Sequence, residues 1–412
     1  MFATRTKSRR QPLALLAVAA GLLALPCARA DVVTEWNIRD GQLITSASLN
    51  APAANRAMAI AHTAAYLAAN AITQRYPAVE PRLAVTPGAS VDAAIAAAHH
   101  AALWQLLPSQ RAATDQAYQA ALATMADVPE KAAGIAAGEL AAARVLALHA
   151  EDGVLQREAY RPHTTAGQYV PTAVPAASQW PLRRPWLMTS AAQFRPDPPP
   201  ALASELWARD YNEVKSLGGR DSTSRSAEQT AIARFWEATL PPIYHQLVRC
   251  VADQPGRDVM QNARLFAEVT QATDDALIAI FDAKYHYGFW RPITAIRNGD
   301  IDGNDATERD ASWSPFIDTP MHPEYPCAHC VVSAAIGAIL QAEIGTGPAP
   351  RLATSSPTAG GAVRSWPSIE AFVQEVANAR IYDGVHYRHS TEVGSAMGRK
   401  IGALAVAQYL RN

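Results

Sequence analysis

Lys284-Tyr285-His286-Tyr287-Gly288-Phe289-Trp290-Arg291-Pro292 follows a long stretch, Arg257–Phe281, with helical periodicity. Lys284 and Arg291 stand seven apart, nearly two helical turns. On a continuing helix both cations project from one face, and Pro292 then ends or bends it. Two more dense clusters follow. One is His322-Pro323-Glu324-Tyr325-Pro326-Cys327-Ala328-His329-Cys330, with a short helix starting near Ala328 and running to Ile344. The other is Arg380-Ile381-Tyr382-Asp383-Gly384-Val385-His386, where Gly384 can take a backbone angle that lets a loop present His386.

Outward from these clusters the chain keeps a helical style. Ala53–Tyr76, Val91–Met125 and Pro129–Leu148 are alanine-rich and helical, and Ala201–Leu217, Ser226–Leu240, Ser368–Asn378 and Thr391–Tyr409 share the period. Between Arg161 and Pro200 lie 9 of the 29 prolines, so no long helix fits there. Trp180, Trp186 and Phe194 argue that this loop packs on the body. A Gly/Pro/Ser/Thr-rich loop covers Gly345–Ser365, and no strand alternates cleanly. The expected fold class is all-α. The expected organisation is a leader over 1–30, a helical part over 31–160, the Pro-rich loop over 161–200 and a helical part with the site over 201–412. Residues 31–412 are expected to form one domain.

The 412 residues carry 36 basic and 37 acidic side chains and are 49% apolar. That is globular composition with no basic excess for a nucleic-acid partner. Residues 1–30 hold Arg5, Lys7, Arg9, Arg10 and Arg29 but no acid. The apolar run Leu13–Leu25 and Ala28-Arg29-Ala30 complete the pattern of a secretory signal cleaved before Asp31. The run is shorter than the ~20 residues a spanning helix needs, so no membrane span is expected after cleavage. Ser8-Arg9-Arg10 with Leu13 is a partial twin-arginine pattern beside the general export reading. The exported chain has 31 basic against 37 acidic residues. It keeps Cys250, Cys327 and Cys330, an odd number that cannot all pair internally. Asp300-x-Asp302-x-Asn304 is not a calcium hand, because Asp305 and Ala311 stand where Gly and Glu are needed.

Lys284, Arg291, Arg380, His329 and His386 together suit a tetrahedral oxyanion. Arginine offers a planar fork of donors and lysine a compact charge. One histidine can act as nucleophile or ligand while a second moves protons. Backbone N–H groups of a helix starting after Pro326 add donors. Each residue also has a structural reading: a solvated basic face, a core histidine, or Arg380 paired with an acid such as Glu375.

These clusters resemble the superfamily of type-2 phosphatidic acid phosphatases, bacterial acid phosphatases and vanadium-dependent haloperoxidases, whose pattern is K-x6-R-P, P-S-G-H and S-R-x5-H-x3-D. Lys284, Arg291, Pro292, Pro326, His329, Arg380 and His386 match it. Cys327 replaces Ser, Ala328 replaces Gly, Ala379 replaces Ser and Ser390 replaces Asp. The likeness to the haloperoxidase-like branch extends to Asn55–Ile72 with His62, Tyr66 and Asn70. It also takes in Gln193-Phe194-Arg195-Pro196 with Pro198–Pro200, and Glu213-Val214-Lys215 with Phe235-Trp236. The resemblance implies an all-α helical bundle. It implies vanadate held by His386, with Lys284, Arg291, Arg380, Cys327 and Ala328 around its oxygens and His329 as acid–base. Peroxide and a halide would be the substrates, and His322 stands at the position tied to halide selectivity, leaning towards bromide over chloride. In the phosphatases the same pocket takes a phosphate ester, with His386 forming a phosphohistidine and no vanadate. A homo-oligomer is a further expectation by resemblance.

The departures leave alternatives open. The Cys327 thiol is a weak donor, and Ser390 lacks the charge to orient His386, for which Glu392 or Asp383 is a candidate substitute. A non-catalytic oxyanion-binding protein is one alternative. For Cys327-Ala328-His329-Cys330 there are three more: a structural disulfide, a zinc site with His329 or His322, and a thiol–disulfide oxidoreductase.

Overall fold

The computed structural model describes residues 31–77 and 82–411, so the leader expectation lies outside the described residues. Five helices make the N-terminal part: α1 (Val32–Ser46), α2 (Ala51–Thr73), α3 (Val91–Leu106), α4 (Arg111–Ala123) and α5 (Pro129–Leu148). Next come α6 (Glu205–Leu217), α7 (Ala227–Trp236), α8 (Pro242–Ala252) and α9 (Val259–Tyr287). The last four are α10 (Pro292–Arg297), α11 (Ala328–Ile344), α12 (Ile369–Tyr382) and α13 (Arg388–Arg411). The fold is all-α, as the periodicity predicts. One departure is a small hairpin, β1 (Leu352–Ser355) against β2 (Val363–Trp366), antiparallel, inside the stretch expected to be loop. Its short strands bury Leu352, Thr354 and Trp366 against the helices, which a turn-rich composition conceals.

Helix boundaries follow local chemistry. The expected helix Val91–Met125 is two helices, because Pro108 lacks the N–H that would continue α3. Helix α9 starts with a capping box, Asp258 and Gln261 satisfying each other's backbone N–H groups. It ends at Gly288 in the left-handed region (φ 59°). The expectation that Lys284 and Arg291 share one helical face is therefore corrected: Lys284 is in the last turn of α9, and Arg291 is the extended N-cap of α10.

Helix α9 forms the axis of the core. Leu265, Phe266, Ile278 and Ile280 are fully buried there, each contributing about 1.5–3 kcal/mol of transfer free energy. The Pro-rich segment is stitched onto the same helix. Arg183 lies fully buried between Asp152 and Asp274 of α9. Asp275 accepts the backbone N–H groups of Trp186, Leu187 and Met188 at 2.7, 2.8 and 2.9 Å. A long connection without helices stays ordered because its polar groups are paired inside the body.

Helix α13 lies close against α11 through Gly394, Gly398 and Gly402, four residues apart on one face. A Cβ at Gly398 would stand 2.2 Å from the Val331 carbonyl oxygen. This contact fixes the helix that carries His329 against the helix that follows His386.

Glu268, mid-way along α9, is pushed up to about 8 from 4.5 by burial, with Glu343 adding to the rise and Arg264 opposing it. A raised folded-state value means that its stability contribution is complete below pH 4.5 and is lost as pH rises through about 8. Denaturant unfolding of wild type and Glu268→Gln checks this. Between pH 4.5 and about 8 the wild type should lose relative stability at up to about 1.4 kcal/mol per pH unit. Parallel curves for the two proteins would contradict the assignment.

Candidate active site

Three chain segments deliver the charged groups: the end of α9 with the Gly288–Arg291 turn, the loop before α11 with that helix's first turn, and the last turn of α12 with the loop to α13. The last depends on a close approach. Gly384 has φ 78°, and a Cβ there would lie 2.2 Å from the Gly218 carbonyl oxygen. Only glycine lets the α12–α13 turn sit on the end of α6.

A cavity of about 320 Å³ opens at these segments. His322, Ala328, His329, Arg380 and His386 line it, with Leu277, Phe281 and Val332 on its apolar side. Lys284 and Arg291 are buried alongside. Lys284 Nζ donates to the carbonyls of Pro323 (3.0 Å) and Glu324 (2.6 Å). Arg291 donates to the carbonyl oxygens of His322 (2.9 Å) and Val385 (2.8 Å), to His322 Nδ1 (3.0 Å) and, longer, to His386 Nε2 (3.4 Å). Arg380 donates to Trp236 O and to Asp383 Oδ2, while its Nε has no acceptor. Glu375 instead pairs with Arg364.

His386 is held by a residue outside its own segment. Its Nδ1 lies 2.6 Å from Glu324 Oε1, which also accepts the Tyr387 N–H. An ionised Glu324 keeps the proton on Nδ1 and leaves the Nε2 lone pair directed at Arg291. This corrects the candidate partners for His386: Asp383 is committed to Arg380, and Glu392 is exposed. Ser390 is buried with its hydroxyl close enough to Glu324 to favour the carboxylate, but without the distance and angle of a formed hydrogen bond. The acid therefore comes from 62 residues upstream. The signal available in the sequence was an acid inside the His322–Cys330 cluster itself, next to no cation in the chain.

His329 Nε2 donates to the Ala238 carbonyl at 3.2 Å, which leaves its Nδ1 with the lone pair. Cys327 departs from its expected role as an oxyanion contact. It is bonded to Cys330, its backbone N–H donates to Ser390 O, and its sulfur accepts the Cys330 N–H as the cap of α11. The disulfide removes the zinc reading, since both sulfurs are spent, and the full burial of both cysteines leaves no exposed sulfur for the thiol–disulfide oxidoreductase reading. In the first turn of α11 the N–H groups of Ala328 and His329 have no helical carbonyl to bond. For a chain beginning at Asp31, alkylation of denatured, unreduced protein should label Cys250 alone. Labelling of all three cysteines before reduction, seen by intact mass, would contradict the disulfide.

The three buried cations are only partly compensated by Glu324 and Asp383. Burial lowers Lys284 well below its usual value, and Arg291 and Arg380 lower it further, against Glu324. Burial brings Arg291 down to about 10. His386 is held far below the imidazole range by burial and by Arg291, Lys284 and Arg380, and His329 by burial and Arg380. Burial raises Glu324 and Asp383 to about 7 despite the cations beside them. Such a group of donors suits a multiply charged anion, which restores each cation towards its ordinary protonation.

Known proteins share this architecture. Residues 264–412 match the family described as the VCPO second helical-bundle domain. Vanadium chloroperoxidase of Curvularia inaequalis is 29% identical over 179 residues, 36% of this chain. The chain spans 29% of that relative's length. Among solved structures it is similar to one described as the first bacterial vanadium-dependent iodoperoxidase, with a TM-score of 0.76 and 24% identity over 91% of this chain and 95% of that one. An apo-type bacterial vanadium-dependent chloroperoxidase gives 0.72 and 17% over 88% of this chain and 95% of that one.

Proposed function

We propose vanadate-dependent oxidation of halide by hydrogen peroxide, bromide in preference to chloride, for this chain, which belongs to the vanadium haloperoxidase superfamily. The observation that carries the proposal is the meeting of three buried cations, Lys284, Arg291 and Arg380, with two buried carboxylates, Glu324 and Asp383, where Arg380 Nε is left without an acceptor. This donor set fits a tetrahedral oxyanion of vanadate's charge. His386 would hold it through Nε2, with Lys284, Arg291, Arg380 and the Ala328 N–H around its oxygens. Vanadate bound there supplies a Lewis-acid centre that activates peroxide towards the halide. The chain's own part is positional and protic. Glu324 fixes the His386 tautomer. His329 Nδ1 takes a proton from incoming peroxide and returns it as the oxidised halide and water form, a reaction that consumes one further proton. The apolar wall of Leu277, Phe281 and Val332 limits water.

His322 is the selectivity residue in this reading. Its Nδ1 lies 3.0 Å from Arg291 Nη2 and 3.1 Å from the Pro323 carbonyl oxygen, which fixes the ring at the wall of the cavity. His322→Phe is expected to raise the chloride-to-bromide rate ratio, and an unchanged ratio would remove His322 from that role.

The chain acts outside the cytoplasm in this proposal, supported by the composition of residues 1–30 and by the Cys327–Cys330 disulfide. The direct test incubates purified protein with orthovanadate, peroxide and iodide, bromide or chloride, and in parallel offers a phosphate monoester without vanadate. Vanadate-dependent bromination supports the proposal. Ester hydrolysis inhibited by vanadate, without halide oxidation, replaces it with a phosphatase. Vanadate binding without either activity replaces it with a binding protein.

A further inference from the structure

Far along the chain from the oxyanion residues, α1, α2 and α3 bring Asp40, His62 and His99 together. None of the three lines the active-site cavity, and none is more than 1% exposed. Asp40 Oδ2 lies 2.8 Å from His99 Nδ1 and 3.5 Å from His62 Nε2. All three ligand atoms fall within 4.8 Å of one another. Both oxygens of Asp40, both nitrogens of His99 and His62 Nδ1 have no hydrogen-bond partner of adequate geometry. Buried polar groups without partners are costly, and the meeting of the Asp40 carboxyl with His99 Nδ1, both without partners, calls for an explanation.

Asn37 sharpens the case. Arg249 can only donate, and its Nη1 lies 2.5 Å from Asn37 Oδ1. The Asn37 amide nitrogen is therefore turned the other way, donating to His245 Nδ1 at 2.7 Å and His62 Nε2 at 3.1 Å. His62 Nε2 thus presents a lone pair, and it faces a carboxylate oxygen. Two acceptors confront each other in a site walled by Trp36, stacked on His99, and Phe266, stacked on His62. A cation between them resolves the conflict.

We propose that Asp40, His62 and His99 bind one divalent transition-metal ion of the zinc class, as a structural site that ties α1, α2 and α3 together. Two imidazoles and one carboxylate are a borderline-soft donor set. The 3.5 Å separation suits tetrahedral ligands about 2.0–2.2 Å from a common metal, and the 2.8 Å pair opens by about 0.6 Å on binding to match it. Binding displaces only the longer of the two bonds donated by Asn37. Burial raises Asp40 and, with His99 and His245, lowers His62.

The full chain should be produced untagged in zinc-supplemented medium, purified without chelator or metal-affinity resin, and analysed by plasma mass spectrometry. One zinc-class ion per chain is expected, falling to background in His62→Gln/His99→Gln, while vanadate binding persists. Metal at background in the wild type overturns the proposal and leaves a proton held between Asp40 and His62. Undiminished metal in the double variant also overturns it. If that variant does not fold, X-ray absorption of the cobalt-substituted wild type decides. Nitrogen and oxygen donors with imidazole scattering support the site, and sulfur or all-oxygen ligation rules it out.

Discussion

His386→Ala is expected to abolish both halide oxidation and any phosphate-ester hydrolysis while leaving the fold in place. The loss in kcat/KM should reach at least about 10³-fold, since removing a single transition-state donor from a comparable site already approaches that figure. The fold should survive because Arg291 keeps its shorter bonds to Val385 O, His322 O and His322 Nδ1 and loses only the 3.4 Å contact. The Glu324 carboxyl loses its Nδ1 partner but keeps the Tyr387 N–H. Steady-state kinetics with equilibrium dialysis against orthovanadate checks the effect. Activity within tenfold of wild type, in a variant with normal thermal unfolding, would place the reaction elsewhere in the molecule.

Glu324→Gln should lower activity by about 10–100-fold, the usual cost of removing a group that orients a ligand from behind. Glutamine preserves the shape but not the charge. It can also turn its amide nitrogen to His386 Nδ1, which moves the imidazole proton to Nε2, where a lone pair is needed. Stability should move differently from activity. Burial raises Glu324 from 4.5 to about 7, so its ionisation costs stability as pH rises through that range. The Gln variant is therefore expected to unfold at pH 8 no more easily than wild type while being far less active. Glu324→Asp, which restores the charge, should recover part of the rate. Parallel loss of stability and activity in Glu324→Gln, with no recovery in Glu324→Asp, would reduce Glu324 to a packing residue.

Much of the helical class was legible because helical periodicity is a local property. Pro129–Leu148 coincides with α5, and the positive φ expected at Gly384 is present. The cations and histidines of the candidate site were legible as well, since residue type and spacing survive without knowledge of the fold. The Cys327–Cys330 disulfide stood as one of several readings because redox pairing depends on what else surrounds a sulfur. His62 was noticed only as part of a family-like helix, while its partners Asp40 and His99 lie on separate helices.

The sequence by itself determined the helical class and which groups are available: alanine-rich helices, three cations, and histidines in each of the clusters that follow Lys284. Tertiary structure alone decided how those groups meet. Arg291 reaches the site off the end of α9 and not along it, because Gly288 ends that helix in the left-handed region. Glu324 becomes the carboxylate of His386 because the loop before α11 passes behind it, a contact spanning 62 residues. Propensity, capping and periodicity act within a few turns of chain. Burial, charge compensation and ligand geometry are set by neighbours in space, and in this molecule those neighbours come from distant helices.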